Sequence, residues 1–252
     1  MKNPICITGM HRSGTSMVSR ILNICGMYLG PENKMMPPGG DNPKGFWENM
    51  DIVNVNGRIL KMFGGSWSAP PYIPYGWWTT PDAESFAESA RKITEDLRSH
   101  GIWGFKDPRA CFTLPFWRAL YPDIFTIICL RDPLAVVRSL MKRDKNLQEE
   151  VGVFLWFLYN KAILENTLPE NSLIFHYNFF TGNPKIGTTL LVKKLGWNVD
   201  DKFIEEACSS IHPQLNHHDD EFVSYIKKEG KEEDRLYCDA LRLYQEMCEN
   251  TV

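Results

Sequence analysis

The octapeptide Gly9-Met10-His11-Arg12-Ser13-Gly14-Thr15-Ser16 restricts what this chain can become more than any other segment. It joins a short apolar run, Ile5–Thr8, to a stretch in which Met17, Val18, Ile21, Leu22 and Cys25 recur at helical spacing, with Gly26 placed to end the helix. Glycines at 9 and 14 let the backbone curl so that successive N–H groups point inward, and the start of the helix adds partial positive charge. A strand, loop and helix so arranged make a phosphate cradle, with Thr15 and Ser16 supplying hydroxyl donors. The plainer alternative is a strand–helix turn with a glycine at each end.

The rest of the chain repeats the strand–helix alternation. Apolar runs over 102–106, 124–130 and 173–177 read as further strands. Helical spacing marks 51–63, the set Phe86, Ala90, Ile93 and Leu97 with Asp82 as its cap, and the segment opened by Pro133. Further helices are expected over 149–166, 184–195 and 201–211 and near the C-terminus, whereas 30–49 and 64–82, rich in Pro, Gly and Trp, read as loops. No element is assigned between 107 and 123. Alternation of this kind implies an α/β fold: one P-loop-like domain with a parallel sheet flanked by helices and a helical C-terminal part. The cofactor core is expected over about 5–185, with the helical extension over about 186–252.

Composition narrows the function classes. A net charge of −3 with dispersed basic residues argues against a nucleic-acid binder. No apolar run approaches the roughly 18–20 residues needed to span a bilayer. Seven scattered cysteines, among them Cys6, Cys111 and Cys129 in apolar surroundings, read as reduced core residues of a cytoplasmic protein. Without a CxxC pair or an HExxH motif, no bound metal is expected.

The loop departs from the nucleotide triphosphatase pattern. Thr15 stands where a Walker A loop has lysine, and the cation lies inside the loop as Arg12. Without that lysine, hydrolysis of ATP or GTP is disfavoured, whereas an arginine suits a phosphate that gains negative charge as a group departs. A second candidate anion site follows the run 124–130. Arg131 stands at its end, and Ser139 lies about two turns into the next helix, within plausible reach of the same anion. Alternatively, Arg131 pairs with Asp132 or Asp107 and Ser139 is a surface residue.

Together these motifs resemble those of the PAPS-dependent sulfotransferases, which use 3′-phosphoadenosine 5′-phosphosulfate. The family's phosphosulfate loop, [KR]-[SGA]-G-T-[ST], is matched by Arg12-Ser13-Gly14-Thr15-Ser16. Its 3′-phosphate motif, a strand-end Arg in R-[DN]-P with a Ser eight residues on, is matched by Arg131-Asp132-Pro133 and Ser139. The resemblance extends to Gly45-Phe46-Trp47-Glu48-Asn49, to Lys106-Asp107-Pro108-Arg109 and to Tyr177, and is closest to a bacterial-type branch. It departs from the cytosolic branch in four places. Met17 stands where that branch stacks adenine on Trp, Pro108 falls on its catalytic His, Tyr177-Asn178-Phe179 replaces Y-E-D, and the C-terminal R-K-G-x-x-G-D-W motif is absent.

The resemblance implies a P-loop-like fold and transfer of a sulfuryl group from PAPS to an acceptor hydroxyl, on a carbohydrate or small molecule. His11, Arg12, Ser13, Gly14, Thr15, Ser16, Arg131, Ser139 and Tyr177 would then hold the donor. Arg12 would meet the charge growing on the bridging oxygen. The proton acceptor is expected to be Glu48, partly desolvated beside Phe46 and Trp47, with Asp107 second because its neighbours Lys106 and Arg109 suit a structural ion pair. Three Trp and two Tyr over 65–78 either contact an acceptor or roof the core, and His217-His218 reads as a solvated polar loop. The competing functions are an ATP-using P-loop kinase and a non-catalytic module that binds a nucleotide or a sulfated glycan.

Overall fold

The computed structural model describes residues 3–40, 45–211 and 221–252. Four parallel strands, β1 (Ile5–Thr8), β2 (Gly104–Lys106), β3 (Phe125–Leu130) and β4 (Ser172–His176), make one sheet in the order β2-β1-β3-β4. Between β1 and β2 come helices α1 (Thr15–Ile24), α2 (Met50–Met62) and α3 (Pro81–Arg98); α4 (Ala110–Leu120) separates β2 from β3. Helices α5 (Pro133–Arg143) and α6 (Glu149–Asn166) lead to β4. After it come α7 (Asn178–Gly182), α8 (Pro184–Lys194), α9 (Asp201–Ser210), α10 (Glu221–Lys228) and α11 (Arg235–Glu249). The fold is the α/β type expected, a parallel sheet with helices on both faces.

Strand side chains alternate between two cores. Cys6, Phe105, Ile128 and Leu130 enter one with α2 to α6, α10 and α11, while Ile5, Ile7, Ile127 and Cys129 enter the other with α1, α8 and α9. Burial on both faces explains why each strand reads as a continuous apolar run without polar alternation. The register, Ile7 opposite Lys106 and Ile127 and then Leu130 opposite His176, brings the carboxyl ends of all four strands to one edge. From β1 the chain proceeds to β2 on one side and to β3 and β4 on the other. That reversal opens a crevice at the strand ends, where open α/β sheets bind ligands.

Two local expectations change. The cap of α3 is Thr80, with Pro81 opening the helix, so Asp82 lies in the first turn instead of before it. Helix α4 had no assignment, because Pro115 sits inside it and its apolar residues lack a polar face. Proline cannot donate to the carbonyl four residues back. Here the carbonyl of Cys111 accepts the Asn166 side-chain amide at 2.9 Å instead, so tertiary packing supplies the bond that the helix lacks.

Candidate active site

The loop between β1 and α1 is shaped by close approach on both sides. A side chain at Gly9 would begin 2.4 Å from the Cys129 carbonyl oxygen, and one at Gly14 would begin 2.6 Å from the Tyr177 ring. Gly14 has φ 88° and is the N-cap of α1, where no side chain caps the helix among the described residues. The helix thus begins in the loop with its N–H groups uncapped by side chains, the arrangement that favours an anion. Outside glycine, positive φ occurs among the described residues only at Arg12 (72°) and Trp47 (57°), and both border one cavity. Strain gathered at one place is a mark of a working site.

That cavity, about 780 Å³, opens over the carboxyl ends of the strands. Of the residues singled out from the sequence, His11, Arg12, Gly14, Thr15, Ser16, Glu48, Arg131 and Tyr177 line it. Ser13 and Ser139 stand behind this lining. Ser139 Oγ accepts a hydrogen bond from Arg12 Nε at 2.9 Å, and the enclosed Ser13 Oγ has no partner among the described residues. Arg131 donates to the Arg12 carbonyl at 3.0 Å and stacks on the Tyr177 ring at 4.3 Å. The two motifs, 119 residues apart in sequence, are therefore one structure. Asp132 caps α5 by accepting from the Ala135 N–H at 2.9 Å. Burial raises the Tyr177 hydroxyl above its usual range against the pull of Arg131 and Arg12, so it stays protonated as a donor.

The two candidate carboxylates part company. Asp107 is completely buried and does not line the cavity. Its Oδ1 accepts from the Arg109 N–H at 2.9 Å and from its guanidinium at 2.8 Å, and its Oδ2 from Asn56 at 2.9 Å. Burial raises its proton affinity above the ordinary carboxylate range while Arg109 opposes the rise. Glu48 is 4% exposed yet borders the cavity, with Lys106 bonded to Oε1 and Arg109 3.5 Å from Oε2. Ser16 Oγ donates to the Phe46 carbonyl at 3.2 Å, so the segment carrying Glu48 returns over the start of α1.

Sequence reasoning missed Lys106, Arg109 and Arg143 as cavity cations, and Asn56 as the post behind Asp107. Asn56 accepts from Thr113 and from the Trp117 indole, both at 2.8 Å, and donates to Asp107. A lysine ending a strand beside β1 was the available signal for Lys106. Of the aromatic loop, Trp67 enters the cavity wall. It packs 4.9 Å from the His11 ring, lies under Arg143 at 5.3 Å, and its carbonyl accepts from Tyr159 at 2.7 Å. Tyr72 and Tyr75 of the same loop face outward, at 84% and 92% exposure. His217 and His218 lie outside the described residues.

The architecture is that of known bacterial sulfotransferases. The sulfotransferase domain of the Synechococcus PCC 7002 olefin synthase superposes with a TM-score of 0.59, 16% identity and coverage of 98% of this chain and 96% of that one. The sulfotransferase from Alicyclobacillus acidocaldarius superposes with a TM-score of 0.54 and 13% identity over 100% of this chain and 98% of that one. The domain from the curacin biosynthetic pathway gives 0.52 and 16% over 81% and 77%. No protein-family model and no curated protein sequence matches the chain. Among the described residues, no helix is long and apolar enough to cross a membrane.

Proposed function

We propose that the protein is a sulfotransferase that takes its sulfuryl group from PAPS and passes it to an acceptor hydroxyl. The observation that carries this reading is the direct joining of the Arg12 loop to the Arg131–Ser139 motif across one cavity.

The residues present fit a polyanionic nucleotide. Among the described residues, Arg12, Arg20, Lys106, Arg109, Arg131 and Arg143 line the cavity against one lining carboxylate, Glu48. The enclosed Ser13 hydroxyl, unpartnered among the described residues, and the start of α1, which no described side chain caps, are further donors. Arg12, Thr15, Ser16 and the start of α1 are assigned to the 5′ side, and Arg131 with Ser139 to the 3′-phosphate. Met17, which stands where the cytosolic branch has its adenine-stacking Trp, lines the cavity with Tyr177 and Ile211 and offers the base an apolar face. PAPS supplies a sulfuryl group activated by its bond to phosphate. On the protein's side, Arg12 meets charge on the leaving oxygen, and Glu48 Oε2 is the proton acceptor for the acceptor hydroxyl. Asp107, behind Arg109, positions that cation. Phe46, Trp47 and Trp67 present ring faces suited to a carbohydrate or apolar acceptor.

Calorimetry with adenosine 3′,5′-bisphosphate and AMP tests the donor assignment. The bisphosphate is expected to bind far more tightly, and Arg131→Ala to weaken it by about 2–4 kcal/mol, as for loss of a charge-assisted pair. Equal affinities for the two nucleotides remove the 3′-phosphate site. Transfer without added magnesium separates the reading from a kinase.

A further inference from the structure

His11 has no part in the chemistry outlined above, yet it stands among the cations of the cavity. It precedes Arg12 in the loop and borders the cavity. Its ring is held between Trp67 and Tyr159, with centroids at 4.9 and 5.5 Å. Its Nε2 is enclosed and has no hydrogen-bond partner among the described residues. Buried polar atoms are nearly always paired, so an orphaned one inside a ligand cavity points to a partner that arrives with the ligand.

The surroundings say what kind of ligand. Burial first, and then the charges of Arg109, Lys106, Arg143 and Arg12, hold the imidazole well below its usual range. These cations come from three places around the ring: the loop itself, the end of β2 and the end of α5. The carboxylates that temper them, Glu48 and Asp107, are bonded to Lys106 and Arg109. Tyr159 adds no charge, since burial keeps its hydroxyl protonated. The free protein therefore keeps His11 neutral in a field of positive charge. A nucleotide carrying two phosphoryl groups cancels that field and brings oxygen acceptors to the same cavity. Burial would persist after binding, while the repulsion from the cations would fall.

Building on the donor site proposed above, we infer that His11 is its proton-linked member: neutral in the free protein, it takes up a proton as a polyanionic nucleotide settles among Arg12, Lys106, Arg109 and Arg143, and then holds that nucleotide as one more cation. Donor affinity is then set partly by pH, and the loop discriminates in favour of ligands with enough negative charge to recruit the proton. By linkage, a group whose proton affinity rises on binding makes binding tighter as pH falls through the range where it titrates.

The test is calorimetric titration of the full chain with adenosine 3′,5′-bisphosphate in pairs of buffers of different ionisation enthalpy, at several values between about pH 5 and 8. The difference between buffers gives the protons taken up per nucleotide bound. Wild type is expected to take up a larger fraction of a proton than His11→Gln and His11→Asn, which report the nucleotide's own protonation. The affinity of wild type should fall more steeply with rising pH than that of either variant. Equal uptake and parallel pH profiles in all three proteins overturn the role of His11 and leave the donor site intact. Failure of wild type to bind the bisphosphate overturns the donor reading itself. The imidazole signals of isotopically labelled wild type, followed with and without the bisphosphate, need no variant. A His11 signal whose midpoint moves up on binding supports the inference, and an unmoved one rejects it.

Discussion

Two carboxylate-centred clusters stand in different regions of this protein, and they differ in burial, in partners and in what they hold. Beside the cavity, Glu48, Lys106, Arg109 and Asp107 are drawn from α2's approach and the end of β2, and the Lys106–Glu48 pair is only 3% and 5% exposed. At the start of α6, Glu149 Oε1 accepts from Tyr225 and Tyr237, both at 2.6 Å, and from Lys231 at 3.0 Å, with Glu149 and Lys231 about a quarter exposed. The second cluster pins the region of α10 and α11 to α6. The first serves no comparable docking: it aims cations at a cavity. Burying an ion pair costs desolvation that its attraction only partly returns, so a buried pair is poor glue and a good way to fix charge in space. A pair about a quarter exposed and supported by two phenols is cheaper to keep and serves attachment.

The largest effect expected to sharpen this contrast is catalytic. Glu48→Gln keeps the shape of the side chain and removes its charge, so turnover should fall roughly 10²–10⁴-fold while adenosine 3′,5′-bisphosphate still binds. Near-normal turnover in that variant, with Asp107→Asn inactive, transfers the role to Asp107. Next comes stability. Lys106→Met leaves Glu48 in the interior with, among the described residues, the longer contact to Arg109, and should cost about 3–5 kcal/mol in urea unfolding. Lys231→Met, in the less buried cluster, should cost about 1 kcal/mol or less and leave turnover unchanged. Equal costs would break the distinction.

The smallest effect is in pH dependence. Burial pulls the Glu149 carboxyl up, but hydrogen bonds from Tyr225, Tyr237 and Lys231 prevail and hold it below its ordinary range. A depressed acid contributes stability above its unfolded value, and loses it as pH falls through its folded one. The unfolding midpoints of wild type and Glu149→Gln should therefore differ at neutral pH and converge as the pH drops below about 4. Persistent separation in acid would show that the cluster acts through packing alone.

The sequence by itself determined the sheet, the loop and part of the cavity lining, His11 to Ser16 above all. Continuous apolar runs ending at Thr8, Lys106 and Leu130 suit only a sheet buried on both faces, and the period-3.6 segments between them suit only its helical cover. Glycines at 9 and 14 carried the loop's backbone requirements openly, because positive φ and close approach leave a mark on residue choice. What the sequence did not disclose was decided by partners far along the chain. Helix α4 survives Pro115 because Asn166, from another helix, takes the stranded carbonyl. In sequence, Glu48 stands ahead of Asp107 only because Lys106 and Arg109 flank the latter. They differ because Asn56 and Arg109 enclose one, while the return of the chain at Phe46 leaves the other facing the cavity. Charge and hydrogen-bonding capacity are local properties written residue by residue, whereas burial and the field at a site are sums over neighbours that only the folded chain assembles.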